Sequence, residues 1–135
     1  MVNRVEKLSL LSEMIAFAKY DKDIKNIEYN FLLGVAKQLE ISREDFEYLI
    51  KHPVTYTHLK SHSERIVQFH RLVLLMNIDS SNENSSSGVI KLYNFGLRMG
   101  LSHESITKVL YLMESFPNKI VPPDVLIDIF KTQYN

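Results

Sequence analysis

Apolar residues recur at helical spacing along almost the whole chain. From Val5, the series Leu8, Leu11, Ile15 and Ala18 makes a stripe, widened by Leu10, Met14 and Phe17. "DKDIKN" interrupts it, and Ile27, Phe31, Val35 and Leu39 then define a second helix, broadened by Leu32 and Ala36. Ser42 followed by Asp45 fits the Ser-x-x-acid signal that satisfies orphan amides at a helix start. A short helix runs on through Phe46, Leu49 and Ile50, and Pro53 stops it.

The segment "RIVQFHRLVLLMNI" (Arg65 to Ile78) is apolar nearly all round in its second half, which predicts a buried central helix. "DSSNENSSSG" (Asp79 to Gly88) is the most polar stretch and reads as a mobile loop. A helix resumes through Val89, Leu92, Tyr93, Leu97 and Met99, with Gly100 as its C-terminal cap. Ser102 and Ser105 introduce the next one, through Val109, Leu110 and Met113. "PNKIVPPD" breaks it, and Asp124 is expected to cap a last helix through Leu126, Ile127 and Phe130. No alternating, strand-like pattern stands out. The expected class is all-α, with about seven helices.

Part of this pattern occurs twice. "VAKQLEISREDFEYLI" (Val35 to Ile50) aligns with "FGLRMGLSHESITKVL" (Phe95 to Leu110) at a constant offset, matching Ser42 to Ser102, Glu44 to Glu104 and Leu39 to Met99. Upstream, the helix ending at Tyr20 matches the one ending at Ile78, so Asp21 falls near Asp79. A helical half cannot bury its own apolar stripe, so two halves are expected to pack about a pseudo-twofold. The expected organisation is a single helical domain over 1–135, with repeats at roughly 5–52 and 62–115 and a C-terminal helix at 122–132.

The stretch "AKYDKDIKNIEYNFLLGVAKQLEIS" resembles the TerB-like domain, named from tellurite-resistance proteins and found beside DnaJ modules. That family's motif places an Ala, an Asp-Gly pair, an Ile and a Glu in order, and Ala18, Asp21, Ile24 and Glu28 match it. Lys22 replaces the glycine, and in the second half Gly88 occupies the place of the glutamate. The resemblance covers most of residues 5–130. It implies a compact all-helical domain linked to stress responses and membrane-associated complexes, whose acidic residues are proposed to bind a divalent cation.

Composition narrows the functions. Sixteen basic and sixteen acidic side chains cancel, which argues against a dedicated nucleic-acid binder. With no cysteine, thiolate chemistry and disulfides are excluded. No run reaches the length of a membrane span, and Ser9, Ser12 and Glu13 interrupt the one signal-like segment, so a cytoplasmic protein without direct membrane insertion is expected.

The acidic joint is the first candidate site. Asp21, Asp23 and Glu28, with Asp79 and Glu83 from the second half, carry oxygens suited to calcium or magnesium. The EF-hand pattern fails, since the twelfth position is Leu32 counted from Asp21 and Ile90 counted from Asp79. The competing reading is structural: acids near a helix start accept backbone amides and complement its dipole. His58 and His62 stand four apart without a zinc-hydrolase or di-iron motif, and read as surface residues, with His70 as an interior or boundary histidine. No serine lies in a GxSxG elbow, and Glu44, Asp45 and Glu47 argue against a helix-turn-helix at "ISREDFEYLIK". Tyr29, Tyr48, Tyr56, Tyr93 and Tyr111 include residues that suit an interface. The expected role is a non-enzymatic interaction or scaffold module for a protein partner, with self-association open. A divalent-cation-binding stress protein is the alternative.

Overall fold

The computed structural model describes residues 3–19, 23–54, 61–78 and 85–134. Among them the chain is all-α: α1 (Arg4–Lys19), α2 (Asn26–Gln38), α3 (Arg43–Lys51), α4 (His62–Asn77), α5 (Ser85–Arg98), α6 (His103–Met113), a 3-10 turn (Pro117–Lys119) and α7 (Pro123–Tyr134). Two compact units divide the chain, at residues 1–59 and 60–135.

In the first unit α1, α2 and α3 all pack on one another. Asn3 and Glu6 start α1 by reciprocal capping: Asn3 Oδ1 accepts the Glu6 amide at 2.8 Å, and Glu6 Oε1 accepts the Asn3 amide at 3.1 Å. Leu10, Leu11, Met14, Ile15, Phe17 and Ala18 are buried, as the widened stripe requires. Polar ties join α1 to α3 and the residues beyond it: the Val54 amide donates to Ser12 Oγ, and Arg4 pairs with Asp45 at 2.9 Å. Phe46 of α3 is fully buried, with the Tyr29 ring of α2 tilted against it at 5.3 Å between centroids.

In the second unit α4 packs on α5 and α7, and α6 packs on the same two helices. Phe69 of α4 is fully buried and meets Phe130 of α7 edge-on at 5.8 Å. Gly96 lets α5 approach this cluster, since a Cβ there would lie 2.8 Å from Ile106 Cδ1 and 2.9 Å from Phe69 Cε1. Side chains of α4 also hold the connector from α6 to α7: Asn77 Nδ2 donates to the Lys119 carbonyl and His70 Nε2 to the Val121 carbonyl, each at 3.2 Å.

The joints after α2 and α5 are built alike. After α2, the Glu40 amide donates to the Lys37 carbonyl and the Ile41 amide reaches back to Ala36. After α5, the Gly100 amide donates to Leu97 and the Leu101 amide to Gly96. Both are Schellman motifs, with the left-handed residue at Glu40 (φ 60°) and Gly100 (φ 85°). Each continues into a serine cap, where Ser42 Oγ accepts the Asp45 amide and Ser102 Oγ the Ser105 amide, both at 3.1 Å. The apolar residue that follows the left-handed position, Ile41 or Leu101, is buried.

Three boundaries differ from the sequence reading. Helix α4 begins at His62, three residues before Arg65, because Ser61 caps it by accepting the Glu64 amide. Helix α5 begins at Ser85, inside the serine-rich stretch read as a loop. Asp124 lies within the first turn of α7 rather than capping it, since Pro123, whose ring presets helical φ, opens the helix. Residues 79–84 of the expected mobile loop lie outside the described residues.

Glutamate in the left-handed region is strained where glycine is not. Glu40→Gly is expected to raise stability by up to about 1 kcal/mol, and Gly100→Ala to lower it by about 1 kcal/mol. Thermal unfolding of the two variants checks both signs.

Candidate functional site

The acidic joint precedes α2. Lys25 is the N-cap residue, and its amide donates to Glu28 Oε1 at 3.0 Å, one half of a capping box. Glu28 is buried, and this bond supplies an acceptor for one of the orphan amides of the helix start. Asp23 is exposed in the non-helical residues before α2. Asp21, Asp79 and Glu83 lie outside the described residues. Among the described residues no group of three histidine, cysteine, aspartate or glutamate side chains is placed to hold a metal ion. Glu28 accepts a helix-start amide, as the structural reading expects.

The histidines divide in the same way. His62 is the first residue of α4, half-buried, with its ring edge-on to Phe130 at 6.4 Å between centroids. Burial lowers its pKa, and Arg65 adds to the effect. It is thus less exposed than the surface residue expected, and His58 lies outside the described residues. His70 is half-buried at the α4–α7 connector, its pKa lowered by burial and partly restored by its bond to the Val121 carbonyl. Facing a carbonyl oxygen, Nε2 is the protonated nitrogen of the ring.

Two surface networks link second to third helices within the units. In the first, the Tyr29 hydroxyl donates to Glu47 Oε2 at 2.7 Å, and Arg43 Nε reaches the same oxygen at 3.2 Å. These bonds, Tyr29 first and Arg43 second, hold the Glu47 carboxyl below its ordinary pKa. In the second, the Tyr93 hydroxyl of α5 bonds Nδ1 of His103, the first residue of α6. Both networks tie helices together.

Several large apolar side chains also remain outward. On α5, Ile90 is 61% and Leu97 42% exposed, seven residues apart, with half-buried Tyr93 between them. Tyr111 of α6 and Tyr48 of α3 are also exposed, Tyr48 stacking on His52 at 4.3 Å. Tyr56 lies outside the described residues. The sequence reading placed Leu97 in the apolar series of this helix and left Ile90 out of it. Its signal was available, because Val89, Ile90, Leu92, Tyr93 and Leu97 span more of a helix than one buried face. No helix among the described residues is long and apolar enough to cross a membrane.

Comparison with protein-family models, with curated proteins and with solved structures finds no match to this chain.

The lowered pKa of Glu47 fixes a sign. Its contribution to stability is present above the unfolded-state pKa and is lost as pH falls through the lower folded value. Tyr29→Phe is expected to move the Glu47 pKa up toward the ordinary carboxylate range, with Arg43→Gln acting in the same direction by less. A carboxyl-carbon NMR titration of Glu47 reads both shifts.

Proposed function

We propose that the chain is a non-enzymatic interaction module that recognises a protein partner through a helical surface. The outward stripe of α5 carries this reading. Ile90 and Leu97 project from a helix whose opposite face, through Leu92, Phe95 and Met99, is already buried. Anchors at i, i+3 and i+7 are the pattern by which one helix engages a groove or another helix. Fully burying a side chain such as Ile90 is worth about 1.5–3 kcal/mol, so a few such anchors suffice for specific association.

The polar groups favour binding over catalysis. Glu6, Glu28, Ser42, Ser61 and Ser102 accept helix-start amides, while His70 and Asn77 hold a connector. The motif of Ala18, Asp21, Ile24 and Glu28 supports a TerB-like affiliation, a family of helical modules. The matched joints around Glu40 and Gly100 support reading 5–52 and 62–115 as two versions of one helical plan.

A photo-crosslinking residue in place of Ile90, with the exposed position Glu44 of α3 as control, tests the surface in the native cell. The expected result is a discrete adduct from position 90 alone. The purified partner should then bind Ile90→Glu/Leu97→Glu at least about tenfold more weakly than the native protein. Circular dichroism should show the variant folded. Equal crosslinking from both positions, or unchanged affinity in the folded variant, would reject the α5 surface.

A further inference from the structure

The chain carries five arginines, and four are engaged. Arg4 pairs with Asp45, Arg43 pairs with Glu47, and the Arg98 guanidinium lies 4.3 Å from the Phe95 ring centroid. Arg65 is engaged as well. Arg71 on α4 is different. It is half-buried, and its hydrogen bond runs from Nη1 to Gln68 Oε1 at 3.2 Å, with no carboxylate in ion-pairing range among the described residues.

That inverts the usual order, in which exposed arginines are left unpaired and desolvated ones are matched. Arg4 and Arg43 keep 59% and 67% of their side-chain surface and are the paired ones. Burial lowers the Arg71 pKa, and no opposing charge among the described residues offsets it. Gln68, 1% exposed and three residues earlier on the helix, aims the guanidinium. A guanidinium has five N–H donors in a planar fork suited to bidentate carboxylate, and one of them is used among the described residues.

The surroundings say what kind of carboxylate fits. At helical spacing from Arg71 stand Val67, 45% exposed, and half-buried Leu74 and Ile78. Helix α4 carries two arginines and a single acid, Glu64. The face is basic at its centre and apolar around it. Inorganic phosphate would gain nothing from Val67 and Leu74, and a free aliphatic acid needs enclosure that an open helix face does not give.

We propose that Arg71, flanked by Val67 and Leu74, receives the carboxylate of an aspartate or glutamate set among aliphatic residues of a partner protein. This rests on reading the chain as an interaction module and adds the chemistry of the partner.

The probes are an acetylated, amidated Ile-Leu-Glu-Leu peptide, the same peptide with Gln for Glu, and hexanoate. Binding is read from the Arg71 Nε–Hε signal and the Val67 and Leu74 methyl signals of the full chain by NMR. Saturable shifts at all three residues with the Glu peptide are expected, weakened at least about tenfold in the Gln peptide and in Arg71→Gln. Hexanoate binding more tightly than the peptide would overturn the protein-segment assignment in favour of a free aliphatic acid. Shifts of equal strength with both peptides, or no saturable shift, would overturn the carboxylate site.

Arg71→Met supplies a second readout in thermal unfolding without ligand. An unchanged or raised Tm is expected where the charge awaits a partner, and a clear fall would assign Arg71 to the fold. Absence of peptide binding to the native chain while the Ile90 crosslink persists rejects this site and leaves the module reading standing.

Discussion

Every helix end in this chain leaves backbone groups that the helix itself cannot pair, and the fold depends on how those ends are closed. After α2 and after α5 the solution is the same: a left-handed residue turns the chain, and two amides return to the carbonyls of the last turn. A serine then accepts the first amide of the next helix. The turn fixes the direction in which α3 and α6 leave. It thereby decides that Phe46 and Ile106 point inward while Tyr48 and Lys108 remain outside. The same need recurs at the start of α1 and α2, where Glu6 and Glu28 are buried because each accepts a backbone amide.

This closure explains why the fold was legible and the site much less so. Helical period, Ser42 and Ser102 as caps, and Gly100 as a C-terminal cap are local signals, and the structure contains each of them. Glu40 was not legible as a left-handed residue, because its side chain gives no hint of a conformation imposed by the buried Ile41 beyond it. The start of α4 was read at Arg65 although Ser61 and Glu64 spell a cap three residues earlier. The roles of His70 and Asn77 depend on carbonyls 51 and 42 residues away and could not be seen in sequence.

The acidic joint shows how one residue type supports two readings until geometry is known. A glutamate three residues into a helix is both a potential cation ligand and half of a capping box. Glu28 is in the second role, with its Oε1 on the Lys25 amide. An oxygen occupied in this way, on a buried side chain, would have to exchange a backbone bond for a cation and expose that amide. Among the described residues the surface also carries the apolar stripe of α5 and, on α4, the Arg71 guanidinium bonded to Gln68.

The polar residues of the joints hold helix ends. Calorimetric titration of metal-stripped protein with calcium and magnesium, alongside thermal unfolding of native protein and Glu28→Ala, tests this most directly. The account predicts no saturable heat and a stability loss of about 1 kcal/mol in the variant, the cost of one cap. Heat saturating near one equivalent in the native protein and vanishing in Glu28→Ala, with stability unchanged, would contradict it.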